Sequence, residues 1–286
     1  MQTATHKIIN DLAAFHYLTV SQLIALEESK ESARSYIYRQ INELVAQELV
    51  LALPLQIVSQ PRLYTLTAKG RKFAAMLGNA THKRYRKGEE VERGENVSFV
   101  AHTIAVTDVL IAARLLAKRV PTIRLNRMLT EWELKRTLYV PVPREGTTKR
   151  HICVEPDAAV DFTIQDTWQD FYYLEVYRHH LNKTRFQHKI AGYVTALVSG
   201  LREQLFQTPA MAVAVIATTE KLAGTLKQWT EEALGAIQRS DAGDRFFFCS
   251  FDTTTTNPED MFLSPLWEQA FDTTKTPLIV LTEETT

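Results

Sequence analysis

The sequence predicts an α+β protein built in two parts, and three observations carry that expectation. The chain has 286 residues, and at about 150 residues per domain that length suggests two domains. Its composition, 45% hydrophobic and 23% charged, excludes a wholly disordered chain, because enough apolar surface exists to bury a core. The periodicity also changes along the chain. Apolar residues recur at helical spacing in the first 78 residues, interrupted by one hairpin signal, whereas beyond residue 97 helical stretches alternate with short apolar runs.

Residues 5–17 place Ile8, Ile9, Leu12 and Phe15 on one helical face. Thr19 and Ser21 can cap a short helix over Val20–Leu26, and Ser29 or Ser32 can start a third. In that third helix Ala33, Ile37, Ile41, Leu44 and Val45 form one buried stripe, so Arg34, Ser35, Tyr38, Arg39 and Asn42 must face out. Leu49–Val58 is aliphatic and β-branched, Gln60-Pro61 turns, and Arg62–Leu66 returns as a strand. Thr67 caps a helix over Ala68–Leu77 that Gly78 ends. These elements occupy residues 1–78. The polar, charged stretch Asn79–Asn96 reads as a linker.

The second part, residues 97–251, opens with a helix over Val97–Arg119. One or two strands follow in Ile123–Leu138, then a polar loop at Val140–Lys149. Strand character returns in Ile152–Ile164, Asp170–Tyr177, Ala210–Ala217 and Phe246–Phe251, with helices over Lys183–Leu201 and Glu220–Arg239. The order α-β-β-β-α-β-α-β argues for a mixed sheet flanked by helices. Residues 252–286 read as a Thr-rich C-terminal extension with little periodicity. No repeat of 20–50 residues is visible.

Net charge is zero, with 33 basic and 33 acidic residues, so no global field draws the chain to nucleic acid or membrane. No apolar run approaches the roughly 18 residues of a membrane span. The amphipathic start, which carries Asp11, does not read as a signal peptide. The expected location is therefore cytoplasmic, with no membrane partner. Cys153 and Cys249, in apolar strand-like segments without metal spacing, read as buried reduced thiols.

The neutral total hides an asymmetry. Residues 1–94 carry 13 basic and 9 acidic residues, and Gln60–Lys87 holds eight basic residues (Arg62, Lys69, Arg71, Lys72, Lys83, Arg84, Arg86 and Lys87) with no acidic one. Three helices and a hairpin in about 75 residues make a winged helix-turn-helix, whose third helix enters the major groove. Arg34 and Arg39 can pair with guanine, while Ser35, Tyr38, Gln40 and Asn42 can reach phosphates or base edges. Arg62 in the wing, with Lys69, Arg71 and Lys72 after it, would sit near the DNA backbone. The opposing reading is a winged helix that docks on protein.

A second constellation lies in the second part. Glu155-Pro156-Asp157 opens one apolar strand and Glu175 stands 18 residues after Asp157 in the next, with a turn at Gln165–Gln169 between them. Side by side, Asp157 and Glu175 are hard ligands that suit magnesium, which can activate water for phosphodiester cleavage. The arrangement resembles the PD-(D/E)xK nuclease fold. Pro156-Asp157 matches its PD, and Glu175-Val176-Tyr177 stands where its ExK is expected, with Tyr177 in place of lysine. The resemblance implies Lys183 or Lys189, on the following helix, as the group that would supply the missing ammonium. The structural alternative pairs Glu175 with Arg178, His179 or Lys189. His179 and His180, adjacent on a strand, point opposite ways and seldom share a metal. His102, on the apolar long helix, reads as a partly buried packing residue.

The whole chain resembles the replication-relaxation family of bacterial plasmids and mobile elements. The matching segments are Arg62 to Gly70, Ala101-His102-Thr103 with Asp108, Pro156-Asp157-Ala158, Tyr173-Leu174-Glu175-Val176, and Phe186 through Lys189-Ile190 to Tyr193, covering about residues 15–200. The family commonly carries an acidic residue two positions after the glutamate, where Tyr177 stands here. The resemblance implies a bacterial protein acting in plasmid or mobile-element DNA transactions, with double-stranded DNA as partner. A protein of the mobile-element complex, or a second copy in a homodimer, is the further partner it leaves open. The leading expectation is a DNA-binding protein whose nuclease-like domain is inactive and needs no cofactor. The alternatives are a magnesium-dependent endonuclease using Asp157, Glu175 and Lys189, and a protein-binding adaptor.

Overall fold

The element order of the chain follows the alternation of its apolar runs. The computed structural model describes residues 4–27, 34–53, 61–79, 97–131, 133–134, 143–144, 147–151, 154–179, 182–198, 206–208 and 211–282. Two units divide at Ile111 and Ala112, inside the long helix, and together make a mixed α+β protein. The linker expected at Asn79–Asn96 lies, beyond Asn79, outside the described residues, as do Ser29, Ser32, His180 and Cys153.

In the first unit α1 (Ala4–Phe15) buries Ile8, Ile9, Leu12 and Phe15, the stripe its spacing requires. The short α2 (Val20–Leu26) is held by a capping box: Thr19 Oγ1 accepts from Gln22 N, and the Gln22 side chain accepts from Thr19 N. The Gln22 amide also donates to Asp108 Oδ1 at 2.7 Å and to the Ile104 carbonyl at 3.1 Å. Asp108 thus ties the first half of the long helix to α2. Helix α3 (Arg34–Ala46) packs through Ile37, Ile41 and Leu44. Strands β1 (Val50–Ala52) and β2 (Tyr64–Leu66) pair antiparallel, with Val50 opposite Leu66, and Leu18 bridges to Tyr64. Thr67 caps α4 (Ala68–Met76), its hydroxyl accepting from Gly70 N, and Gly78 follows with φ +87°. Gly70 is where α4 crosses the turn after α3: a Cβ there would stand 2.0 Å from the Leu49 carbonyl oxygen.

Helix α5 (Val97–Arg119) spans the division. The absence of an apolar stretch near membrane-spanning length, expected from the sequence, does not hold for this helix. Val100–Arg119 is long and apolar enough, by length and composition, to cross a membrane, although most of it is buried in the fold. Such a helix serves equally as a core helix.

The second unit carries a six-stranded sheet in the order β10 (Glu268–Gln269), β9 (Phe246–Ser250), β8 (Ala212–Ala217), β7 (Trp168–Tyr177), β6 (Ala158–Ile164), β3 (Ile123–Thr130). Strands β3, β6 and β7 form an antiparallel meander. β8 and β9 then run parallel to β7. The turn between β6 and β7 sets both Gln165 and Asp166 at positive φ. The segment expected as a plain loop at Val140–Lys149 contains a small separate hairpin, β4 (Pro143–Arg144) with β5 (Thr147–His151). Strands of two and five residues are too short for periodicity to register.

Helices α6 (Lys183–Val198) and α7 (Glu220–Ala236) cover one face of the sheet. Phe171, Tyr173, Val213 and Phe248 meet Phe186, Ile190, Leu226 and Leu234 there. Within the sheet, buried Asp161 on β6 accepts from Arg127 Nε on β3 at 3.1 Å. Residues 252–286 do more than their lack of periodicity suggests. They add α8 (Pro258–Leu263) and β10 (Glu268–Gln269), which closes the sheet edge antiparallel to β9. Trp267 is fully buried with its indole N–H on the Met261 carbonyl at 2.8 Å. Lys227 of α7 reaches Glu268 at 2.7 Å, joining this segment to the core.

Candidate functional site

The β6–β7 register pairs Ala158 with Leu174, so Asp157, just before β6, comes opposite Glu175. Asp157 N donates to the Leu174 carbonyl at 3.1 Å, and its Oδ2 accepts from Val176 N at 2.8 Å. Glu175 shares a strand face with Phe171, Tyr173 and Tyr177, the face that α6 covers. Lys189 and Tyr193, one turn apart on α6, both point at it. Lys189 Nζ stands 2.6 Å from Glu175 Oε2, the Tyr177 hydroxyl donates to the same oxygen at 2.9 Å, and the Tyr193 hydroxyl donates to Oε1. Rings brace the donors: Tyr177 meets Phe186 edge-on at 5.5 Å, and Tyr193 lies 5.6 Å from Tyr173.

Burial dominates the electrostatics. Glu175 is 1% exposed, and desolvation pushes its carboxyl up to about 7, helped by Asp157 and opposed by the Lys189 charge and the Lys189 and Tyr193 hydrogen bonds. Burial acts to lower the Lys189 ammonium, but Glu175 and Asp157 outweigh it and hold the group above its ordinary value. The Tyr177 and Tyr193 phenols are raised well above the usual range by burial first and by Glu175 second, so both remain donors.

These residues do not fit a magnesium site as arranged. Both Glu175 oxygens are taken by three donors, and an ammonium already sits where a cation would neutralise the carboxylate. Asp157 spends one oxygen on a backbone N–H. Among the described residues, no group of three or more His, Cys, Asp and Glu side chains is placed to hold a metal. Lys183, the other lysine considered for this site, pairs instead with Glu232 at 2.5 Å. Tyr193 went unrecognised in the sequence as a site residue, although its spacing of four from Lys189 was the available signal. His179 is exposed, His102 is half-buried, and Cys249 is buried with its thiol pushed up to about 12 by desolvation.

In the first unit the outward face of α3 carries Arg34, Ser35, Tyr38, Arg39 and Asn42, all exposed. The Arg34 guanidinium lies 6.0 Å from the Tyr38 ring centre, and that of Arg39 lies 5.4 Å from Tyr36. Tyr36, 43% exposed, was not among the residues the sequence singled out. Gln40 turns the other way, accepting from the Thr5 hydroxyl at 3.1 Å. Arg62 and Lys72 are exposed. Lys69 donates to the Gln47 carbonyl and Arg71 to the Leu66 carbonyl, each at 2.8 Å, so both hold the fold together.

The replication-relaxation family model matches residues 9–206, well over half of the chain. The chain belongs to the replication-relaxation family. Membership implies a role in the replication or relaxation of plasmids or mobile elements. No curated protein and no solved structure matches the chain significantly.

Proposed function

We propose that this replication-relaxation protein binds double-stranded DNA of a plasmid or mobile element. In this reading residues 1–78 act as a winged helix-turn-helix that reads a site with α3. The second unit is a nuclease-like scaffold whose carboxylate site is closed. The observation that carries the reading is the outward face of α3, where two exposed arginines each lie over a tyrosine ring. Stacking on Tyr36 restrains the Arg39 guanidinium without using its hydrogen-bond donors, in a form that suits guanine O6 and N7. The element order of three helices, a β-pair and a helix supports the winged-helix assignment.

The sheet supports the nuclease-like reading. A helix, an antiparallel three-stranded meander, a helix and a strand parallel to the third is the order of the PD-(D/E)xK core. The closure of its site rests on Glu175, whose oxygens serve Lys189, Tyr177 and Tyr193. Here the ammonium neutralises the carboxylate and fastens α6 to β7. One observation favours the second reading, a magnesium-dependent endonuclease: Lys189, 2.6 Å from Glu175, stands where a relocated catalytic lysine would act.

The test is fluorescence anisotropy on element DNA and on random duplex. Arg34→Ala or Arg39→Ala should weaken cognate binding by about 1–3 kcal/mol and random binding by less. Equal losses on both duplexes would reduce the arginines to phosphate contacts. No loss on either would remove α3 as the reading helix.

A further inference from the structure

The start of β7, β8 and β9 encloses a cleft of about 340 Å³, at the opposite end of β7 from Glu175. Trp168, Asp170 and Tyr172 alternate along β7 and so share a face. Ala212, the β8 partner of Tyr172, adds only a methyl group between β7 and β9, which leaves room for a ligand. Phe247 of β9 lines the cleft as well, as does Arg245, the residue that immediately precedes the strand. Trp168 is 60% exposed, so a large aromatic surface stands at the cleft ready to be covered.

The hydrogen bonding of Asp170 is incomplete. The Tyr172 hydroxyl lies 2.8 Å from the Leu278 carbonyl oxygen and 3.1 Å from Asp170 Oδ2. It has one proton to give. That proton is shared between the Leu278 carbonyl and Asp170, so the half-buried carboxylate, with two oxygens, has acceptor capacity left for further donors. Burial raises the Asp170 carboxyl, against the influence of Tyr172 and Arg245, so this group gains from a ligand that brings N–H donors. Arg245 pairs with Asp244 at 3.5 Å through Nε, and its side chain is 47% exposed.

We propose that this cleft binds one unpaired guanine base. A carboxylate matches the N1–H and N2–H pair on the Watson–Crick edge of guanine, and arginine donates to its O6 and N7 or to a phosphate. An exposed indole supplies the stacking surface. Adenine fails on the first count, because its corresponding edge offers an acceptor at N1. The volume suits a single base, so the base arrives either as a free nucleotide or flipped from a single strand. The site lies wholly within the second unit and does not rest on duplex binding by α3.

The experiment is titration of the full chain with dGMP, dAMP, and the single strands T4GT4 and T4AT4, followed by calorimetry and tryptophan quenching. Saturable binding of dGMP or T4GT4, at least tenfold tighter than the adenine counterpart, is expected. Asp170→Asn should cut guanine binding tenfold or more, because its amide meets N1–H and N2–H with a donor of its own; unchanged circular dichroism confirms that this variant is folded. Trp168→Phe should retain calorimetric binding and lose the quench. Equal affinity for guanine and adenine, no saturable binding of either, or an Asp170→Asn variant that binds guanine as well as the parent would overturn the proposal. With the base preference established, equal affinity for dGMP and T4GT4 identifies a nucleotide site, and tighter T4GT4 a strand site. An Arg34→Ala, Arg39→Ala chain should keep its guanine affinity whether or not it binds duplex.

Discussion

Glu175→Gln isolates the buried carboxylate that the closed-site reading depends on. In the folded chain burial holds Glu175 at about 7, against an ordinary value of 4.5. Its folded value is the higher one, so the native state binds the extra proton between those limits. The stability it contributes is present at low pH and is lost as pH rises toward 7. Linkage makes that contribution roughly 2 kcal/mol at pH 5 and near zero at pH 7.5. Lys189, raised above its ordinary 10.5, titrates outside this window. Glutamine keeps an oxygen toward Lys189 and Tyr177 and turns an amide toward the Tyr193 oxygen, so most of the hydrogen bonds survive without a titrating group. The assay is urea unfolding at pH 5 and pH 7.5, followed by tryptophan fluorescence. All four tryptophans (Trp132, Trp168, Trp229 and Trp267) lie in the second unit, which makes the signal specific to it. Across this pH step the parent should lose roughly 2 kcal/mol more than the variant. Parallel losses in both would show that Glu175 does not titrate as its burial requires, and the reasoning would fail.

Two further outcomes follow from the first unit. Gly70→Ala should lower its stability by about 1–3 kcal/mol, because the new methyl meets the Leu49 carbonyl, and thermal unfolding by circular dichroism measures it; an unchanged transition would mean the α4 crossing is not tight. Neutralising Arg62 and Lys72 should reduce the slope of log K against log salt by about 0.9 for each phosphate that goes unneutralised, whereas Lys69→Met and Arg71→Met should chiefly cost stability, since both bind carbonyls of the fold.

Much of the fold was legible because its longer elements carry their own signals. The α3 stripe of Ile37, Ile41 and Leu44 fixes which residues face out, and Thr19 and Thr67 mark helix starts by capping. The carboxylate pair was legible for the same reason, since a hairpin turn between two strands determines which residues lie opposite. What escaped is what depends on neighbours remote in sequence. Trp267 and the two-residue β10 gain their place from the sheet edge and from Lys227, 41 positions before Glu268. Tyr193 joins the Glu175 cluster only because α6 folds back across β7. Whether Glu175 keeps a free oxygen for a ligand is a matter of ångströms, which residue spacing does not encode. The cleft at Asp170 joins the starts of three strands to the segment at Leu278, and no local pattern announces it.

The most direct test of the central claim puts binding and cleavage in one tube. Supercoiled plasmid bearing the element's DNA is incubated with the parent chain, Asp157→Ala, Glu175→Gln, and the Arg34→Ala, Arg39→Ala pair, in magnesium or manganese. The account predicts a specific complex for the parent, Asp157→Ala and Glu175→Gln, its loss in the arginine pair, and no nicking by any of them. Metal-dependent nicking by the parent that disappears in Asp157→Ala and in Glu175→Gln would contradict it and make the Glu175–Lys189 pair part of an active endonuclease.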